Sequence, residues 1–348
     1  MNERRLVPSS GLRDSGQRMT HELVASRRGG RVARSVCRAS LGTALALLAV
    51  SLVAGAAASA TARSLETVTI AIIPVEPTAQ AAYAKDRGFF RKHGIDAKLL
   101  ILGDPNAIAA AIASGDAQFA AFNIGGLVLG RSRGFPAKLV AAGALYRQNA
   151  PTAALVSAPG KRIASARDLV GKRVGIDQRN TIAHVALLQW LKRRGVRADD
   201  VTFSENAFTQ MLGPLTRGTI DAAVLPEPFL TIAIQRGAKL VAPIFQTVCA
   251  VDCLLTGWVA RRDVDPGLAA RFRNAIQAAA VWANRNENRA ASGAILSRYA
   301  PIEPAVLKKM TRTSFATRLR PALAQPWIDV YAEFGLIPET FSAIDLVR

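Results

Sequence analysis

Two short segments carry side chains suited to holding a small charged solute. Asp177-Gln178-Arg179-Asn180-Thr181 follows a strand and opens a helix predicted over residues 182–194. With Asn180 or Thr181 as N-cap, free helix N–H groups face outward and Arg179 adds a positive charge. That combination holds carboxylate, sulfonate or phosphate groups. An ordinary capped helix beside a solvated arginine is the other reading of the same residues. The second segment is Pro226-Glu227-Pro228, directly after an apolar strand predicted at Ala222–Leu225. The flanking prolines restrict the backbone and so aim the Glu227 carboxylate. It can read an amine, amidine or ring N–H of a ligand, pair with an arginine, or cap the helix beginning at Phe229.

The elements that must position these segments alternate along the chain. Val68–Ile73 reads as a buried strand ending at Pro74, and Thr78–His93 as a helix stopped by Gly94. Ala97–Leu102 is a second strand; Pro105–Ser114 is an Ala-rich helix opened by Asp104 and stopped by Gly115. Gln118–Phe122 and Lys138–Ala142 continue the pattern. Strands alternating with helices predict βαβ units and an α/β fold with mostly parallel sheets flanked by helices.

The pattern repeats. Ser114-Gly-Asp-Ala-Gln-Phe-Ala-Ala-Phe-Asn123 aligns with Arg217-Gly-Thr-Ile-Asp-Ala-Ala-Val-Leu-Pro226 at an offset of 103. Gly115 and Gly218 are each followed 19 residues later by another glycine, Gly134 or Gly237, and then by Lys-Leu-Val-Ala. Two similarly built lobes leave a cleft, and in open α/β sheets ligands sit beyond the carboxyl ends of the strands. The loops there include Pro74-Val75-Glu76-Pro77, Asn123-Ile124-Gly125-Gly126 and Tyr146-Arg147-Gln148. By the repeat, Asn123 and Ile124 occupy the position matching Glu227 in the other lobe. Pro74, Glu76 and Tyr146 complete the set of expected cleft residues, although an acid in such a loop can equally be solvated and a tyrosine half-buried packing.

Composition narrows the function classes. The chain has 348 residues, 50% of them hydrophobic, with 45 Lys+Arg against 25 Asp+Glu. Three His and three Cys exclude most zinc sites and disulfide scaffolds. His184 has no Cys, His or acid at ligand spacing, so neither a metal nor another cofactor is expected. Cys249 and Cys253 can bond only if the chain turns through Ala250-Val251-Asp252; a disulfide and two separate thiols are both open. Residues 1–62 hold nine Arg and three acids, and no charge falls between Ala39 and Ala62. A basic region, a short apolar core and an Ala-x-Ala exit make a cleavable secretory signal, with cleavage near Ala60 or Ala62. A retained membrane anchor is the alternative, opposed by the small residues of the second half. Dispersed charge on an exported chain argues against a nucleic-acid partner.

Four strings also resemble a known family: Ala84-Lys-Asp-Arg-Gly-Phe-Phe-Arg-Lys-His-Gly-Ile-Asp96, Ala113-Ser-Gly-Asp-Ala-Gln-Phe-Ala120, Asp168-Leu-Val-Gly-Lys-Arg-Val-Gly175 and Gly218-Thr-Ile-Asp-Ala-Ala-Val-Leu-Pro-Glu-Pro-Phe-Leu230. In this order they are similar to the sulfonate/nitrate/thiamine-precursor solute-binding proteins of ABC importers, over roughly residues 68–262. The resemblance implies a two-lobe periplasmic binding protein fold of type II, with lobe 1 formed by residues 66–155 plus 255–348 and lobe 2 by 156–254. It implies a periplasmic, monomeric, non-enzymatic receptor. Such a receptor captures a sulfonate, an aminopyrimidine, nitrate or an aromatic acid, closes over it, and delivers it to ABC permease subunits. An enzyme on the same fold, related to thiamine-pyrimidine synthesis, and a sensory ligand-binding protein are the alternatives.

Overall fold

A computed structural model of the chain describes residues 64–300 and 302–348. The expected signal segment (residues 1–62) and its cleavage positions Ala60 and Ala62 lie outside the described residues.

The first sheet starts with β1 (Glu66–Ile72) and β2 (Ile95–Ile101), joined by helices α1 (Gln80–Asp86) and α2 (Phe89–Lys92). The single helix expected over residues 78–93 is therefore two. Gly88 takes a left-handed φ of +72° and ends the first, so that Phe90 of the second turns into the core. Helix α3 (Pro105–Ser114) has the expected caps: the Asp104 carboxylate accepts N–H bonds from Asn106 and Ala107, and Gly115 closes the helix at φ +89°. Strand β3 (Phe119–Asn123), helix α4 (Ile124–Ser132) and strands β4 (Ala137–Ala142) and β5 (Ala144–Tyr146) follow.

The chain then enters a second sheet. This sheet contains β6 (Ala153–Ser157), β7 (Arg173–Ile176), β8 (Thr202–Glu205), β9 (Ala222–Pro226) and β10 (Lys239–Ala242). Helices α5 (Ile182–Lys192), α6 (Phe208–Thr216) and α7 (Phe229–Gln235) connect its strands. After β11 (Cys253–Leu254), strand β12 (Thr256–Arg261) returns to the first sheet. The remainder is helical: α8 (Pro266–Ala283), α9 (Arg289–Tyr299), α10 (Pro304–Lys309) and α11 (Gln325–Glu333), interrupted by the short β13 (Ser314–Phe315).

Strand order shows that the two sheets are built alike. The first reads β2-β1-β3-β12-β4 and the second, from its other edge, β8-β7-β9-β6-β10. In each, four of the five strands run the same way and one, β12 or β6, runs antiparallel to both its neighbours. The repeat at offset 103 places β3 and β9 at the same central position of their sheets. Both are apolar along nearly their whole length because helices cover both faces. Phe272 of α8 seals the first sheet, stacking on Phe119 with ring centroids 3.9 Å apart and meeting Trp258 edge-on. Trp327 is fully buried on α11, whereas Trp282 is half-buried against Tyr83. The chain bends at Ala250 and Val251, bringing the Cα atoms of Cys249 and Cys253 to 5.6 Å, and their sulfurs are bonded.

Candidate functional site

The carboxyl ends of the parallel strands from both sheets converge on one cavity of about 90 Å³. Ile73 follows β1, Asn123 ends β3, Asp177 follows β7 and Pro226 ends β9; Thr152 and Thr256 reach it from the amino ends of the two antiparallel strands. The first residues of α5, Ile182 and Ala183, also line it, so this helix points its N-terminus at the cavity. The walls are otherwise mainly apolar, with Phe208 and Phe245 the largest side chains. A wider cleft of about 410 Å³ shares Pro105 and Asn123 with the cavity and runs along the loop Gln178–Thr181.

Of the expected residues, Asn123 lines both spaces, and Gln178, Arg179, Asn180 and Thr181 line the wider cleft. The Asn123 side chain caps α4, accepting the Gly126 N–H at 2.8 Å. Gln178 donates to the Asn106 side-chain oxygen at 2.9 Å, tying this loop to α3. Arg179 lies over the Phe203 ring and pairs with Glu205 at 3.3 Å, so its charge is already partnered. Asn180 has the one positive φ among the described non-glycine residues, 61°. That turn lets its N–H donate to His184 Nδ1 at 3.0 Å while its carbonyl accepts the Tyr331 hydroxyl at 2.6 Å. Thr181 is the N-cap of α5, but its hydroxyl is directed to Asp177 (2.7 Å) and the Gln178 carbonyl, leaving the helix amides uncapped by it.

Five expected residues line neither space, and the geometry gives each another task. Pro74 lies in the bend that follows β1, and Ile124 is buried at the start of α4 with its N–H on the Leu255 carbonyl. Tyr146 is fully buried and stacks on Phe245; burial pushes its hydroxyl up to about 12. Glu76, also fully buried, pairs with the Arg312 guanidinium and accepts the Thr313 N–H at 2.9 Å. Glu227 lies in a buried pocket where it accepts the Thr231 N–H (3.1 Å), the Thr231 hydroxyl (2.9 Å) and the Thr311 N–H (3.1 Å). It therefore caps α7, one of the alternatives its position left open. Glu76 and Glu227, one from each sheet's loops, bind the same segment 311–313. Nothing local to either residue announces that segment.

Burial pushes Glu227 up to about 7, opposed by its three hydrogen bonds and aided by nearby Glu76. An acid that holds its proton more tightly when folded stabilises the fold below its unfolded value and loses that contribution as pH rises. Relative to Glu227→Gln, the wild type should therefore lose stability between pH 4.5 and about 7, by up to about 3 kcal/mol. Thermal melts of both proteins across that window check it; parallel curves refute it. His184 is shifted the other way: burial first, then Arg179, hold its imidazole down to about 4, so it is neutral. Among the described residues no cluster of His, Cys, Asp or Glu could hold a metal ion.

Among the cavity-lining residues that the sequence did not single out are Asp177, Thr152, Thr256, Phe208 and Phe245. Asp177 carried a signal, an acid directly at a strand's carboxyl end. The threonines and phenylalanines carried none, because only packing of one sheet against the other brings them together.

Comparison with known proteins agrees with this architecture. The sequence model of the family described as "NMT1/THI5 like" matches residues 78–290. An alkanesulfonate-binding protein of Xanthomonas axonopodis pv. citri, bound to MOPS, superposes with a TM-score of 0.66 at 15% identity, covering 82% of this chain and 99% of that one. The ligand-binding component of an ABC-type import system from Staphylococcus aureus, with zinc bound, gives a TM-score of 0.68 at 16% identity over 81% of this chain and 96% of that one. A 4-amino-5-hydroxymethyl-2-methylpyrimidine phosphate synthase of Uromyces fabae is 27% identical over 157 residues, 45% of this chain. The match spans 44% of the synthase, so this chain aligns with less than half of that relative. A family match over well more than half of the sequence, on a periplasmic binding protein fold of two like-built sheets, shows that the chain belongs to the NMT1/THI5-like family.

Proposed function

We propose that this chain is a solute-binding protein of an ABC importer, which captures a small organic anion or an amine-bearing heterocycle outside the cytosol and hands it to permease subunits. The observation that carries this reading is the cavity lined from two like-built sheets at the carboxyl ends of their strands. A solute held there touches both halves at once. It therefore favours whichever arrangement closes them together. The moving bodies are residues 66–155 plus 255–348 and residues 156–254, and the protein works as a monomer. The names of the fold neighbours, a sulfonate binder and an import-system component, support the class. Among the described residues no helix is long and apolar enough to cross a membrane, and the apolar leader supports export to the periplasm. An enzyme on this fold is the second reading, favoured by the partial match to the pyrimidine phosphate synthase. Against it, no histidine or cysteine lines the cavity.

The test is a thermal-shift and calorimetry panel of sulfonates, aminopyrimidines, nitrate and aromatic acids. One compound should raise the melting temperature by mass action, with about 2.7 kcal/mol of stabilisation at a hundredfold excess over its Kd. It should be recovered unchanged. Turnover of the bound compound would favour the enzyme, and a panel without any binder would remove the solute-binding reading.

A further inference from the structure

Of the eighteen residues lining the inner cavity, Asp177 is the one that can carry a charge. The expected cation, Arg179, lies along the wider cleft and is paired with Glu205. One carboxylate oxygen of Asp177 accepts the Thr181 hydroxyl at 2.7 Å. Burial pushes the acid up to about 6 against that bond and those of backbone N–H groups, with Glu205 adding to the rise. This is how a carboxyl behaves when no cation stands beside it. A second polar group is also unmatched: Thr152 lines the same cavity, is 2% exposed, and its hydroxyl has no partner in the protein. A buried hydroxyl left open in this way calls for a ligand or water partner.

An anion entering this space meets a carboxyl group and a mainly apolar wall. The N-terminal amides of α5 favour it, but Asp177 stands at that same helix end and opposes it. A solute with N–H donors meets a carboxyl acceptor, a hydroxyl without any other partner, and apolar walls for its carbon skeleton. Size adds a limit. About 90 Å³ is less than the roughly 150 Å³ known to admit benzene, so a compact head group is what fits.

We propose that Asp177 makes the inner cavity selective for a compact, largely apolar solute bearing a protonated amine or amidine, and turns away sulfonates of the same size. This rests on the solute-binding reading and sharpens it, choosing the amine-bearing branch over the anionic one.

Tert-butylammonium and methanesulfonate test it, since each is tetrahedral with the same number of non-hydrogen atoms. By calorimetry on the purified chain at pH 7.5, tert-butylammonium should bind at least tenfold more tightly than methanesulfonate. In Asp177→Asn that preference should vanish, and Thr152→Val should weaken the amine without reversing the order. Tighter binding of methanesulfonate to the wild type overturns the proposal, and so does an unchanged preference in Asp177→Asn. The wild-type comparison decides the matter even if the variant does not fold. If neither compound binds, the proposal fails. The solute-binding reading itself falls only if the broader panel is empty as well.

Discussion

Arg312→Ala should destabilise the protein by about 3–5 kcal/mol, the effect expected when a buried ion pair loses one partner. Arg312 is 12% exposed and Glu76 1%. Besides that pair, the guanidinium donates to the Tyr83 hydroxyl (3.1 Å), the Ser292 hydroxyl (3.0 Å) and the Arg289 carbonyl (3.1 Å). Removing it strands a carboxylate that cannot reach water, together with acceptors that lose their donor. Domains are held by about 5–15 kcal/mol in all, so this one side chain accounts for a large share. The double variant Glu76→Gln/Arg312→Met should recover much of the loss, because neither charge then remains buried alone. Arg197, whose partner Asp199 is 84% exposed, is the control: Arg197→Ala should shift stability by less than about 1 kcal/mol. Urea midpoints of the four proteins measure all of this. A small effect of Arg312→Ala would show that Glu76 finds another partner and that segment 311–313 is not held as described.

Gly125→Ala should cost about 1–3 kcal/mol, the usual range for overpacking a filled core. The expected loss follows from one contact. A Cβ at position 125 would stand 1.7 Å from the Tyr331 hydroxyl oxygen and 2.5 Å from its ring carbon, so the aromatic ring of α11 must move. That hydroxyl donates to the Asn180 carbonyl, which belongs to the loop bordering the cleft. The substitution thus disturbs the Gln178–Thr181 loop through the Tyr331 side chain. Tyr331→Phe separates the two effects: it loses the hydrogen bond, about 1 kcal/mol, and relieves the crowding. In the double variant Gly125→Ala/Tyr331→Phe the crowding should be partly relieved, giving less than the sum of the single losses. Additive melting-temperature changes in the three variants would show that Gly125 and Tyr331 do not press on one another.

How much was readable in advance depends on the range of the interactions involved. The caps of α3 were legible because Asp104 bonds amides two and three residues away, and Gly115 needs only its own freedom at positive φ. The like-built sheets were legible through the offset of 103, since each strand–helix unit keeps its own apolar spacing and closing glycine. The roles of the two acids were not. Glu76 finds Arg312 across 236 residues, and Glu227 finds Thr311 across 84, so no local pattern names either partner. In the loop after β7, Gln178–Thr181 line the wider cleft, and it is Asp177 that reaches the inner cavity. The positive φ of Asn180 and the Thr181 hydroxyl turn the chain so that Asp177 faces inward and Arg179 lies along the outer cleft.

Periodic burial, capping and glycine placement are properties of short stretches, and they determined the α/β class and the order of the strands along the chain. The assignment of charges to binding or to support arose only when separate stretches packed together. A carboxylate takes its role from whatever donor or cation comes within about 3 Å, and those neighbours are contributed by distant parts of the chain. That is why Glu76 and Glu227 became internal fastenings, while Asp177 was left facing the cavity.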